Sequence, residues 1–283
     1  MNHIVIERDG AVGIITIARH ERFNSLDVAT ARDLRKAGLS CARDRDLRAV
    51  VLRGIEGVFC SGADLKYVRA GGNAEELSYL KPAGLKPVGE GETDRAFSEP
   101  FRQILEYLHS TISEIKRAPK PFLAAVDGIA AAGGFGLAMA CDLVLASERA
   151  SFEWAYSKTA LTGAESSTFF LPRLVGLRRA MELVLLNPRL NAGQALEMGL
   201  INAVYPVERF EEETMALARR LAAGPTYAYA AAKALINQAA GVDRLDHHLD
   251  CELESLARSA ESADFAEGIA AFFSRQAPGF KGR

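Results

Sequence analysis

KPFLAAVDGIAAAGGFGLA, residues 120–138, is the stretch that decides the fold of this 283-residue chain. Pro119 and Pro121 end whatever precedes it, and Phe122 to Val126 is then an apolar run of strand length. Asp127-Gly128 marks a turn, and the small residues from Ala130 to Gly136 let backbone approach backbone or a ligand where a helix begins. Leu143 to Ala146 reads as the next strand. A strand, a glycine-rich turn, a helix and a strand are the building pattern of an α/β protein. The turn is neither a dinucleotide fingerprint nor a phosphate loop, because G-x-G-x-x-G and G-x-x-x-x-G-K-[ST] are both absent. The N–H groups of Gly133 and Gly134 at a helix N-terminus favour an anion, while close helix packing explains the same glycines equally well.

Working outward, His3 to Ile6 and Val12 to Ile17 are β-branched runs around Arg8-Asp9-Gly10 and predict a hairpin. Asp27 to Arg43 has helical spacing with Asp27 as N-cap, and Ala49 to Arg53 is a short buried strand. FCSGADL, residues 59–65, is a small-residue turn after a strand, the place where α/β proteins bind ligands. An ordinary strand-to-helix turn with Ser61 or Asp64 as N-cap is the plainer alternative. From Val68 to Pro100, glycines and prolines interrupt any period, so a loop or lid is expected. Phe101 to Lys116 is helical again. After Ala192 helices dominate: Ala192 to Met198, Glu211 to Ala222, Tyr227 to Ala239, Leu245 to Ser259 and Ser262 to Phe273. The expected organisation is a core over residues 1–200 and a helical region over residues 201–283.

Composition narrows the function classes. Hydrophobic residues at 49% and charged residues at 25% exclude a disordered chain. Lys plus Arg 34 against Asp plus Glu 36, with no block of like charge, argues against nucleic acid as partner. The charge-free stretch from Gly128 to Cys141 is too short to span a bilayer, so no membrane partner is expected. Cys41, Cys60, Cys141 and Cys251 lack zinc or disulfide spacing, and MNHIVIERDG is unlike a signal peptide, so a reducing cytoplasm is expected. His3, His20, His109 and the pair His247-His248 are placed for surface or packing roles, His109 on an otherwise polar helix face, and no metal site is expected.

Taken together, residues 59–65 and 120–138 resemble the crotonase family, the enoyl-CoA hydratase/isomerase superfamily. Arg22 to Asp27, Leu171 to Gly176, Ala195 to Asn202 followed by Val204, and Glu267 to Lys281 match further stretches in the family's order. The resemblance runs from residue 3 to the C-terminus, and only the lid lacks a counterpart. It implies an α/β fold, a crotonase-like spiral of repeated ββα units with a C-terminal helical oligomerisation region, assembled as a homotrimer or homohexamer. It also implies acyl-coenzyme A thioesters as substrates, no cofactor beyond the coenzyme A of the substrate, and an enolate whose oxyanion sits between two backbone N–H groups. By motif position these belong to Ala63 and Gly133.

The acid/base groups are where this chain departs from the family. The position of one hydratase glutamate is Gly136 and that of the other is Tyr156, so ordinary hydration loses both of its proton-handling carboxylates. Isomerases and aryl-CoA dehalogenases of the family carry a carboxylate farther along the same loop. That position counts to Ala164, and the adjacent Glu165 is the nearest carboxylate. Glu165 is either a general acid/base or a solvated or capping residue before Ser166 to Phe170, with Glu153 a distant second choice. Trp154 is expected in the core. The resemblance further implies substrate binding by Ser61, Gly134, Gly136 and Tyr156, by Arg22 near the adenosine and phosphate end, by Asp64 and Leu65 beside the adenine, and by Phe280 and Lys281 in the tail. The expected reaction is double-bond isomerisation. Hydration, thioester hydrolysis, carbon–carbon cleavage and a noncatalytic acyl-CoA-binding subunit are the alternatives.

Overall fold

A computed structural model describes residues 3–73 and 97–283. Strands β1 (Ile4–Asp9) and β2 (Val12–Ile17) form the expected hairpin, in register from Ile4 opposite Ile17 to Asp9 opposite Val12. Helix α1 (Val28–Arg43) starts where the Asp27 carboxylate accepts the Thr30 N–H at 2.8 Å, satisfying one amide that the helix itself cannot. There follow β3 (Ala49–Gly54), β4 (Val58–Cys60), α2 (Leu65–Arg69) and α3 (Ser98–Arg117). The expected lid lies, between residues 74 and 96, outside the described residues. Its two ends are helical: Val68 belongs to α2, and Ser98 to Pro100 open α3.

The chain then repeats one unit. Strands β5 (Phe122–Val126) and β6 (Ile129–Ala131) lead into α4 (Gly133–Ala140), and β7 (Leu143–Ser147) and β8 (Ser151–Glu153) lead to α5 (Ser167–Val175). Each β–β–α unit adds one strand to each of two sheets. Among the described residues the larger sheet runs β1-β2-β3-β5-β7-β10 and the smaller β4-β6-β8-β9. The remaining elements are α6 (Leu177–Leu186), β9 (Leu190–Asn191), α7 (Ala192–Glu197), β10 (Ala203–Tyr205), α8 (Val207–Ala223), α9 (Thr226–Ala239), α10 (Leu245–Ala260) and α11 (Ala263–Ser274). The spiral of ββα units and the C-terminal helices agree with the reading of the sequence.

From β2 to β10 the larger sheet is parallel and buried on both faces, which is why its strands read as continuous apolar runs. Val50 and Leu52 of β3, with Phe122, Ala124 and Val126 of β5, face the main core beside α1 and α3. The alternate residues Ala49, Val51, Leu123 and Ala125 face a second core closed by Phe210, Met215, Ala218 and Ala222 of α8. Period-two alternation thus sends each strand to both cores. Helix α10 lies along α3. His109 of α3 is buried there, not on a polar face, and desolvation followed by the nearby His248 holds its imidazole down to about 3. Among the described residues no helix is long and apolar enough to cross a membrane.

Candidate active site

The register of the smaller sheet places the site. Cys60 of β4 pairs in parallel with Ala130 of β6, so Ala63 and Gly133, each three residues farther on, emerge at the same end. β8 is parallel to β6, with Ala131 opposite Glu153, so the segment from Trp154 to Tyr156 leaves at that end too. Ligands bind outside the carboxyl ends of parallel strands because the turns there expose backbone donors and are free to vary. Gly62, at φ +92°, brings two of the turns together: a Cβ on it would lie 2.8 Å from Ala132 Cβ and 3.1 Å from the Gly133 nitrogen. Only glycine accepts that backbone and that approach.

Ala132 has φ +46° and ψ −118°, which a residue with a Cβ rarely adopts, and it is held there by donating to the Glu153 carbonyl at 3.1 Å. Gly133 follows as the first residue of α4. The neighbours of Ala63 are engaged: Leu26 N–H donates to Gly62 O at 2.8 Å and Asp64 N–H to Leu26 O at 2.9 Å. The N–H groups of Ala63 and Gly133 themselves have no protein acceptor among the described residues.

A cavity of about 380 Å³ opens at this end, lined by Arg22, Ser61, Ala63, Asp64, Leu65, Tyr156 and Glu165 together with Phe101, Leu161, Leu256, Phe272 and Phe273. The glycines stand behind its wall. A Cβ on Gly134 would lie 2.0 Å from the Cys60 carbonyl oxygen, and one on Gly136 would lie 2.4 Å from the Glu165 carbonyl oxygen. Gly134 therefore serves the close packing of α4 on β4. Gly136, where a hydratase glutamate would stand, leaves room for the loop that carries Glu165. Phe280 and Lys281 do not line this chain's cavity; Phe280 packs beside Gly268, and the Lys281 N–H donates to Asp264 at 2.7 Å.

Glu165 is neither solvated nor a cap. Its side chain is buried, and α5 begins after Ser166 without any side-chain cap from that residue. The Tyr156 hydroxyl donates to its Oε2 and lies 3.2 Å from the Ala164 carbonyl. Oε1 lies where a Cβ on Gly133 would be 2.8 Å away, so the carboxyl sits directly beside the Gly133 peptide. Burial pushes its pKa up to about 8, against the pull of the Tyr156 hydroxyl, and the Glu252 carboxylate adds to the rise. Burial and the same Glu165 charge hold the Tyr156 phenol well above its usual range, so it remains a donor.

Glu153 also reaches the cavity wall but is committed elsewhere, ion-paired with Lys158 and with Arg189 at 3.3 Å and accepting from Asn187 at 3.1 Å. Trp154 is core, its ring tilted against Tyr156 at 4.9 Å. At the outer end Asp64 caps α2 through the Lys66 and Tyr67 amides, accepts from Arg22 at 2.7 Å and is ion-paired with Arg19 at 3.0 Å. Burial alone would raise its carboxyl; these donors outweigh it and hold the pKa below the ordinary value. Among the described residues no group of three or more His, Cys, Asp and Glu side chains is arranged to hold a metal ion.

The sequence reading missed Glu252. It is buried on α10 and accepts the Ser166 and Thr168 N–H groups at 2.8 and 2.9 Å. Its visible trace was a glutamate in the apolar stripe Leu245, Leu249, Glu252, Leu256, where a charge belongs only if it has partners.

Fold and cavity together define a crotonase-type α/β protein with its pocket at the strand ends of the ββα spiral. A sequence model of the family described as enoyl-CoA hydratase/isomerase matches residues 7–84 and 92–283. The chain is 33% identical over 285 residues to 1,2-epoxyphenylacetyl-CoA isomerase of Escherichia coli, covering 100% of both chains. It is 31% identical over 275 residues to 4-chlorobenzoyl coenzyme A dehalogenase-2 of an Arthrobacter species, with 97% of this chain and 92% of that one aligned. An enoyl-CoA hydratase crystal structure from Mycobacterium avium subsp. paratuberculosis superposes with a TM-score of 0.83 at 31% identity, over 99% of this chain and 98% of that one. The chain belongs to the enoyl-CoA hydratase/isomerase family, whose members act on acyl-CoA thioesters.

Proposed function

We propose that this protein moves a proton on an acyl-CoA thioester, shifting a carbon–carbon double bond. The thioester oxygen would accept from the Ala63 and Gly133 N–H groups, which stabilise the enolate without any titratable group, each such donor being worth roughly 100 to 1000-fold in rate. The observation that carries the reading is the Glu165 carboxyl set beside the Gly133 peptide. An oxygen bound at that peptide brings the acyl α carbon to the same carboxyl, which takes a proton at one carbon and returns it at another. With its pKa at about 8 the carboxyl exchanges a proton readily at neutral pH, as a shuttle must.

Hydration is disfavoured because Gly136 and Tyr156 supply no second carboxylate. No cofactor beyond the substrate's own coenzyme A is needed, since two peptide donors and one carboxyl complete the proton inventory. Arg22 would meet the adenosine and phosphate end at the cavity mouth. Exposed apolar side chains on α6 (Leu177, Met181, Leu185, Leu186) and α9 (Tyr227, Leu235, Ile236) support assembly as a homotrimer or homohexamer, with Phe280 and Lys281 completing a neighbour's site.

The test is conversion of 3-enoyl-CoA to 2-enoyl-CoA thioesters of six to ten carbons, and of 3-enoyl thioesters bearing a phenyl group, by the native protein and Glu165→Gln. Turnover by the native protein that falls about 100 to 10,000-fold in the variant, with thioester affinity little changed, is expected. Absence of both isomerisation and α-proton exchange into deuterated water across the panel would overturn the reading.

A further inference from the structure

We propose that Glu252, on the C-terminal helix α10, is a positioning residue for proton transfer at Glu165: its carboxylate clamps the loop that presents Glu165. The proposal rests on the acid/base reading of Glu165. Glu165 and Ser166 both have left-handed backbone, at φ +51° and +61°. Residues with a Cβ disfavour that region, and two in succession persist only where surrounding contacts dictate them. The contacts come from Glu252. Its Oε2 accepts the Ser166 N–H at 2.8 Å; its Oε1 accepts the Thr168 N–H at 2.9 Å and the Thr168 hydroxyl.

Helix α5 has no side-chain cap from Ser166, so a carboxylate from 84 to 86 residues away takes the place a local cap would fill. The protein groups bonded to Glu252 all donate. Burial raises the Glu252 carboxyl above its usual value, while the Thr168 hydroxyl and the Ser166 and Thr168 N–H groups oppose that rise and favour the ionised form. Glu252 thus fixes the loop and places a like charge near Glu165.

Other titratable groups surround the pair. Tyr156 and Cys60 face Glu165 from the segment after β8 and from β4. His248, on the same helix as Glu252, has Nε2 3.7 Å from Glu252 Oε1 and 2.8 Å from Thr168 Oγ1. His109 of α3 and Arg173 of α5 lie near His248, and neither shows a bond to the Glu252 carboxylate among the described residues. His248 sits below its usual range through burial, then through Arg173 and His247. It is therefore neutral where Glu165 titrates, and Glu252 is the charge whose removal acts on that titration.

The experiment compares native protein, Glu165→Gln and Glu252→Gln on the 3-enoyl-CoA thioester turned over best, following kcat, KM and the pH profile of kcat. In Glu252→Gln the new side chain keeps the shape, loses the charge and turns an amide NH2 toward a backbone N–H. The expected result is a fall in kcat of about 10 to 100-fold, from misplacement of the Glu165 carboxyl. KM should stay within a few-fold, and the ionisation seen in kcat should move to lower pH because a like charge is gone. Native kcat and an unshifted profile in Glu252→Gln, beside an inactive Glu165→Gln, would overturn the clamp and leave the acid/base reading standing. Native turnover by Glu165→Gln would overturn both. If Glu252→Gln does not fold, Thr168→Val removes one bond and keeps the charge; a several-fold lower kcat with an unshifted profile supports the clamp, and native kcat refutes it.

Discussion

Replacing Glu165 with glutamine should stabilise the protein while it silences the proton transfer. In the unfolded chain the carboxyl ionises near 4.5, whereas burial holds it at about 8 in the fold. A group whose folded pKa is raised contributes its full stability below the unfolded value and loses it as pH rises through the folded one. At about 1.4 kcal/mol per pH unit, the interval from 4.5 to about 8 represents a loss of about 5 kcal/mol at its alkaline limit. About 3 kcal/mol of that loss is already felt at pH 7, and less than about 1 kcal/mol at pH 5. Glutamine carries no charge at any pH and escapes the loss. It takes the Tyr156 bond on an amide oxygen and brings an NH2 group where the acid has its O–H, at a cost of about 1 kcal/mol. The variant should therefore match the native protein near pH 5, exceed it by about 2 kcal/mol at pH 7, and exceed it by more at pH 9. Urea unfolding of both proteins at these three pH values reads the difference. A constant offset across the range would mean that Glu165 titrates in the fold as it does in the unfolded chain, and would refute the burial-raised pKa.

Two further substitutions probe the walls of the cavity. Gly136→Ala puts a Cβ 2.4 Å from the Glu165 carbonyl oxygen, so the loop must move; kcat should drop about 100-fold or more while calorimetry shows thioester affinity within a few-fold of native. Unchanged kcat would show that the loop position is unimportant. Arg22→Ala should raise KM for a coenzyme A thioester about 10-fold with kcat nearly unchanged, and should leave KM for the matching N-acetylcysteamine thioester alone. Equal effects on both would place Arg22 away from the nucleotide.

The amino-acid sequence by itself determined the local pieces. Asp27 caps α1, β5 spans Phe122–Val126 as its apolar run requires, and the stretches 59–65 and 120–138 each carry a small-residue turn directly after a strand. These features depend on neighbours within a few positions, or on a two-residue or 3.6-residue period, and so can be read along the chain. Its departures at Gly136 and Tyr156 were equally plain, and they directed attention to Glu165. What Glu165 does was decided by tertiary structure. Its proton affinity comes from burial, which β4, α4 and α10 create together, and the backbone around it is bent by Glu252, which bonds to Ser166 from 86 positions along the chain. The same holds for the Arg22–Asp64 pair, 42 residues apart, and for Gly136, whose missing side chain is explained only by the Glu165 carbonyl folded against it. A residue type states which proton or charge a side chain has to offer; desolvation and the groups brought beside it set the pH at which it is offered and the atom that receives it.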